Sequence, residues 1–292
     1  VEVRLYAEDA EAGFLPATGP ILAVHWPEGD GIRVDAGIAP GDEITGRFDP
    51  MLAKIAAWGT NRREALERLR QALDETVVLG LTTNLAFLRW LVRQRAVGRG
   101  NARIDTLASI WKPGTGPSDA GIPAEAWSIA ARVLGRGGWR LNAAPVVRLV
   151  AHGAIGGHDE ERTVVIDDSA TSPDVPKPFA FVRAGGTIHL DVRGRSIAFE
   201  VAPPPDVDTA ARAAVAHQAG STGSDVVAPM PGLVIAVHGA VGDEVRAGDP
   251  VVTLEAMKME HVVAAIGDGR LASLDVHPGD QVTRGRVLAT IA

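Results

Sequence analysis

The residues best suited to covalent chemistry stand near the end of the chain, in "LEAMKMEHV", Leu254 to Val262. Methionine occurs at only four positions (51, 230, 257 and 259), and lysine at only four (54, 112, 177 and 258), against twenty-five arginines. Two of those methionines bracket Lys258. An arginine would satisfy any need for charge alone, but it stays protonated, whereas lysine offers a primary amine that an enzyme can acylate. Acylation removes the charge and leaves a long neutral arm. Two other groups invite a chemical reading and lose it. The cluster His152, His158, Asp159 and Glu160 reads as a polar hairpin turn rather than a metal site. The glycine-rich "AVGRGNAR" and "HGAIGGHDEE" have neither the lysine-serine pair nor the strand-then-helix frame of a phosphate loop.

The elements around Lys258 form an internal repeat. Shifted by 37 positions, Gly232–Glu255 falls on Gly269–Ala292, with Gly242-Asp243 on Gly279-Asp280, Val245 on Val282 and Gly248 on Gly285. Short apolar strands alternate with glycine turns in both halves, predicting two half-domains that bury their faces on each other as a pseudo-twofold flattened β-barrel. Lys258 falls between the halves, at a reversal whose central residues are Met257 and Lys258. Two-residue hairpins need positive φ and select Asn-Gly or glycine. Met-Lys breaks that rule, and a local rule broken in an otherwise consistent domain marks function.

The rest of the chain is mixed. At 292 residues it predicts two or three domains. A net charge of −7 does not suggest nucleic acid, no apolar run spans a membrane, and the absence of cysteine fits a reducing cytoplasm. The opening on "VEVRLYAED", without methionine, reads as mid-strand and suggests a piece of a longer polypeptide. Ala65, Leu66, Leu69, Ala72 and Leu73 form a helical stripe, and "TTNLAFLRWLVRQRAVG" reads as a second helix from Thr83 or Asn84 to Gly98. Pro123 opens another helix. "PVVRLVAHG", "RTVVID", "PFAFVRA", "TIHLDVRG" and "RSIAFEVA" then predict an antiparallel sheet or small barrel.

"EAMKME", preceded by "APMPG" at Ala228 to Gly232, resembles the biotinyl domain of biotin-dependent carboxylases. The resemblance implies biotin in amide linkage on Lys258, with Met257 and Met259 flanking it; methionine on both sides favours biotin over lipoate. The chain departs from the family at "AIGDG", Ala265 to Gly269, where Ala-Pro usually precedes the glycine. Over roughly the first 110 residues, "EVRLYAED", "FLPATG", "DPMLAK" and "TNLAFL" occur in the order found in the C-terminal lobe of biotin carboxylase. That resemblance places Arg4 on the catalytic arginine beside the biotin ureido oxygen, where a fixed guanidinium stabilises an oxyanion. It places Arg33 near a dimer interface. The strand-rich middle is similar to the domain that docks an acyl-CoA carboxylase α subunit onto its carboxyltransferase β subunit. The helix followed by "GGWRLN" looks like the 3-methylcrotonyl-CoA version.

The implied protein is therefore a multidomain α+β chain: the C-terminal part of a biotin carboxylase domain at 1–110, a linker at 111–122, a β-rich docking domain at 123–205, a linker at 206–224 and a biotinyl carrier at 225–292. Its implied function is the carboxylation of biotin, using ATP, Mg and bicarbonate through residues upstream of Val1, and carriage of the carboxyl group to the β subunit. The acyl-CoA expected is 3-methylcrotonyl-CoA; propionyl-, acetyl- and geranyl-CoA are the alternatives, and a non-catalytic carrier and assembly module is the rival of another class. Biotin protein ligase is an implied partner, and the implied location is the cytoplasm, or the mitochondrial matrix in a eukaryote. Domain order argues against pyruvate carboxylase, which places a whole carboxyltransferase domain between these segments.

Overall fold

The structure is a computed structural model that describes residues 1–112, 121–135, 145–152, 159–166, 180–203, 224–257 and 259–292. Chain contacts divide it into two units, one of Val1–Ile44 with Pro50–Ala202 and one of Thr45–Asp49 with Pro203–Ala292.

The first unit opens on strand β1 (Glu2–Tyr6), whose alternation turns Leu5 inward and Arg4 outward. Strand β2 (Ala23–His25) follows, then β3 (Ile32–Ala36) and β4 (Met51–Ala57). β4 is the centre of an antiparallel β1-β4-β3 sheet, with Arg4 opposite Lys54 and Lys54 opposite Asp35. Directly opposed residues share a face. Arg4, Lys54 and Asp35 therefore form a polar face, while Leu5, Ala53, Ile55 and Val34 join the core. Helix α1 (Arg62–Glu75) covers that core with the stripe read from the sequence, and the Asn61 side chain caps it by accepting the Glu64 N–H. Burying Leu66, Leu69 and Leu73 contributes about 1.5–3 kcal/mol each.

Strand β5 (Val77–Leu79) pairs with β2, and helix α2 spans Leu85–Leu91. The single helix expected as far as Gly98 is corrected here: α2 stops at Val92, and a separate turn of helix runs from Arg95 to Gly98. The cause is a side chain from another element. The Arg70 guanidinium donates to the Val92 carbonyl at 3.1 and 3.2 Å, and Gln94 is extended. Phe87, Trp90 and Trp111 then close the lobe, Trp111 lying edge-on to both other rings.

Helix α3 (Ala124–Leu134) starts directly after Pro123. It packs on a five-stranded antiparallel sheet of β6 (Val146–His152), β7 (Glu160–Val165), β8 (Phe181–Ala184), β9 (Thr187–Val192) and β10 (Arg195–Val201), in the order β7-β6-β10-β9-β8. Trp127 of α3 meets Phe199 edge-on at 5.1 Å. Among the described residues this sheet is open, with β7 and β8 as its edges, rather than a closed barrel. "GGWRLN", His158, the core of the first linker and the alanine-rich stretch from Asp206 to Gly220 lie outside the described residues.

The second unit holds β11 (Ser224–Val227), β12 (Gly232–Val237), β13 (Glu244–Val245), β14 (Pro250–Ala256), β15 (Met259–Ala264), β16 (Gly269–Leu274), β17 (Gln281–Val282) and β18 (Val287–Ile291). They form two sheets, β11-β18-β16-β13 and β15-β14-β12-β17. The 37-residue shift converts the first order into the second. Register follows the same rule: Val234 faces Leu254 as Leu271 faces Ile291, and each ladder is bulged at the equivalent place. Each half lends its short strand to the other half's sheet, so neither can form alone. Gly242 and Gly279 stand at φ +99° and +97°, and each donates its N–H across the repeat, to Leu271 and Val234. At the departure from the family pattern, the Asp268 carboxylate accepts the Ala247 N–H at 2.8 Å and ties that turn to the preceding half.

Candidate functional site

Strands β14 and β15 pair out to Ala256 opposite Met259. Connectivity leaves Met257 and Lys258 between those two positions. Met257 takes φ +50°, as a two-residue hairpin demands, although its side chain makes that conformation cost about 1–2 kcal/mol. Its side chain is 4% exposed, whereas Met259 is 43% exposed. The two methionines thus differ: Met257 is buried at the turn, where its N–H donates to the Gly46 carbonyl at 3.1 Å, and Met259 faces solvent. Lys258 lies outside the described residues. It is nonetheless the only lysine between Pro203 and Ala292, so any group joined to this unit through a lysine amine joins there. Glu255 and Glu260 are exposed and directly opposed just below the hairpin, a like-charge pair that the motif alone does not reveal.

Arg4 stands on the polar face of the β1-β4-β3 sheet with its side chain 58% exposed. Its Nε is 3.9 Å from Glu2 Oε1, and Lys54 Nζ is 4.0 Å from the same oxygen. One carboxylate therefore lies between two cations, holding both on one face without fully neutralising either. Sequence reasoning misses Glu2 and Lys54, since the pairing of residues some fifty positions apart is set by register. The i, i+2 spacing of Glu2 and Arg4 on an alternating strand is the one local signal. Arg33 is exposed, donating to Asp35 at 3.0 Å on its own strand.

The strand that carries Arg4 is tied down by Asn84, which is buried. Asn84 Oδ1 accepts the Tyr6 N–H at 3.0 Å, and the Asn84 N–H donates to the Tyr6 carbonyl at 3.1 Å. Its Nδ2 donates to Glu8 Oε1 at 3.0 Å and to the Arg4 carbonyl at 3.4 Å. Burial pushes the Glu8 carboxyl up, and the Asn84 donor opposes that shift. The "TN" and "RLYAED" segments are thus two sides of one hydrogen-bonded joint.

His152 lies between two carboxylates, with Nδ1 3.0 Å from Asp159 and Nε2 2.9 Å from Glu200. Burial acts to lower its pKa, but the hydrogen bonds and charges of Glu200 and Asp159 prevail and raise it. The arrangement ties the sheet together as an ion-paired histidine. No helix among the described residues is long and apolar enough to cross a membrane.

A lobe presenting a strand-borne arginine and a pseudo-symmetric unit with a methionine-anchored hairpin define the class: the chain carries a biotin carboxylase C-terminal domain, matched over residues 2–109, and a domain of the biotin-requiring enzymes, matched over residues 224–291. Its relatives are more particular. It is 33% identical to the biotin-dependent acyl-coenzyme A carboxylase alpha3 subunit of Mycobacterium leprae, over 100% of this chain and 43% of that protein. It is 28% identical to the mitochondrial methylcrotonoyl-CoA carboxylase subunit alpha of Dictyostelium discoideum, over 99% of this chain and 48% of that one. To the mitochondrial propionyl-CoA carboxylase alpha chain of Mus musculus it is 26% identical, over 100% of this chain and 46% of that one. The chain is similar to these three proteins along nearly all of its own length and spans less than half of theirs. A domain of this kind implies covalent biotin, and the unit fits it: one lysine, following a buried residue that fixes the turn.

Proposed function

We propose that this chain is the carboxylase-lobe, docking and carrier portion of the α subunit of a biotin-dependent acyl-CoA carboxylase, with biotin amide-linked to Lys258. When bound, the biotin ring supplies the ureido nitrogen that takes up and later gives up the carboxyl group. Met257 sets the base of the arm, because a buried side chain at the turn keeps the hairpin from slipping register. Arg4 would present its guanidinium to negative charge on the ureido oxygen of the bound cofactor, and Glu2 orients it from 3.9 Å. Lys54 adds a second cation on the same face. ATP, Mg and bicarbonate act through parts of the polypeptide beyond this chain. A carboxyltransferase β subunit receives the carboxyl group, and biotin protein ligase installs the cofactor, both in the cytoplasm, or in the mitochondrial matrix in a eukaryote.

The observation that carries this reading is the placement of the carrier's single lysine at the midpoint of a register-matched repeat, directly after a buried, left-handed methionine. Co-expression with a biotin ligase tests it. Intact mass should rise by one biotinyl group with a matching streptavidin signal, both absent in Lys258→Arg; an unmodified wild-type chain refutes the reading. Among substrates we propose 3-methylcrotonyl-CoA, on the sequence "GGWRLN" at positions 137–142. The full-length polypeptide, purified with its partner, should then carboxylate it in preference to propionyl- or acetyl-CoA, and the opposite preference overturns the assignment.

A further inference from the structure

Arg89 on α2 has a side chain only 13% exposed, and it reaches away from its own helix. Its Nε donates to the Leu73 carbonyl at 2.8 Å, and its Nη2 donates to the Thr76 carbonyl at 2.8 Å and the Asp74 carbonyl at 3.3 Å. These are the orphan carbonyls at the end of α1, where a helix favours a cation. Within the lobe, the half-exposed Asp74 carboxylate lies 4.0 Å from Arg89 Nε and is held more closely by Arg93, at 2.6 Å. The nearer and buried counter-charge comes from the five-stranded sheet: Asp191 Oδ2, at the end of β9, lies 3.5 Å from Arg89 Nη2, and the Asp191 side chain is 8% exposed. The other Asp191 oxygen accepts the Gly194 N–H at 2.7 Å, closing the β9–β10 turn on itself.

That turn is shaped for the approach. Arg193 and Gly194 stand at φ +56° and +90°, the pair of positive angles that a tight hairpin needs. A Cβ at Gly194 would lie 3.1 Å from the Ala86 nitrogen, so the turn abuts the backbone of α2 directly. A second joint lies nearby, where the Gly80 N–H after β5 donates to Ser196 Oγ at 3.0 Å. A buried ion pair, a fitted turn and a hydrogen bond thus join the sheet to the lobe's α1–α2 corner. Burial pushes the Asp191 carboxyl up and Arg89 pulls it back, as expected where a desolvated acid is held by its partner.

We infer that α3 and its five-stranded sheet are a fixed extension of the carboxylase lobe, locked to it by Arg89 and Asp191 through the β9–β10 turn, and not a separately mobile module. The inference rests on side chains that neither the arginine nor the lysine of the proposed function involves. Its consequence, which rests on that reading, is that a subunit docked on the sheet is held at a set distance from Arg4.

The test is a distance. The chain has no cysteine, so cysteines placed at the exposed Glu67 on α1 and Arg183 on β8 take two spin labels cleanly. Pulsed dipolar spectroscopy on the full chain should give one narrow distance distribution. Asp191→Lys sets two cations against each other, and the distribution should roughly double in width, as expected of parts whose interface has failed. Ala86→Phe, a wedge on α2 against Gly194, should do the same and serves if Asp191→Lys fails to fold. A broad distribution in the unmutated chain, or a narrow one retained in a folded variant, overturns the inference. Neither outcome bears on biotinylation of Lys258, so the two readings fail separately.

Discussion

Replacing Asn84 by alanine separates a structural joint from an ordinary helix start. The substitution leaves the Tyr6 N–H without its acceptor and takes from Glu8 the amide donor at 3.0 Å. An unsatisfied buried N–H costs about 1–3 kcal/mol and a lost hydrogen bond to a charged group about 1.5–3 kcal/mol, so the pair together costs about 3–5 kcal/mol. For a unit of this size that is a fall of roughly 6–20 °C in melting temperature. The loss carries a pH signature. Glu8 is already raised by burial, and removing the donor that opposes the shift raises it further. An acid whose folded pKa is raised contributes stability below its unfolded value, lost as pH rises through the folded one. The deficit of Asn84→Ala should therefore be greatest at neutral pH and shrink as pH falls towards 4.5, the ordinary carboxyl value. Thermal unfolding followed by calorimetry and intrinsic tryptophan fluorescence reads it. Thr83→Ala is the control, since Thr83 Oγ1 accepts only a long 3.4 Å bond from Leu85 N–H and should cost under about 1 kcal/mol. A deficit below about 0.5 kcal/mol, or one flat across pH, would refute the argument that Asn84 anchors the arginine's strand through Glu8.

In the carrier, Gly232→Ala and Gly269→Ala should both destabilise, because a Cβ would lie 2.8 Å from the Glu255 carbonyl oxygen in one case and, in the other, 2.8 Å from the Ala292 carbonyl oxygen and 2.5 Å from the Ile291 Cγ2 methyl. Overpacking of about 1–3 kcal/mol is expected for each, and calorimetry showing a loss in only one half would contradict the symmetry. His152→Gln should flatten part of the pH dependence of the first unit. A histidine raised above 6.5 by Glu200 and Asp159 contributes stability below 6.5 that is lost as pH climbs through the folded value, by at most about 1 kcal/mol for so exposed a group. His189, lowered by burial, acts with the opposite sign, so His189→Gln should instead remove a loss seen as pH falls below 6.5. In the full-length polypeptide, Arg4→Ala should abolish most bicarbonate-dependent ATP turnover with free biotin, while Glu2→Gln should lower kcat with KM nearly unchanged; normal turnover in Arg4→Ala removes the arginine from the mechanism.

Much of this protein is legible from its residues alone, and the reason is local. Strand alternation, the stripe of α1 and the 37-residue repeat follow from backbone periodicity, and a lysine set between methionines is a local feature too. The repeat even implies the two-residue reversal, which Met257 realises at φ +50°. What the residues could not show are partnerships between distant segments. Arg70 ends α2 early from another helix, Glu2 serves Arg4 and Lys54 only once β1 and β4 are in register, and Arg89 meets Asp191 across a hundred positions. The exchange of short strands between the carrier's halves is of the same kind. By itself, the sequence determined which elements form and which side chains are chemically apt. Tertiary structure alone decided which charges are shared, because hydrogen bonds and ion pairs act over a few ångströms of space whatever their separation along the chain.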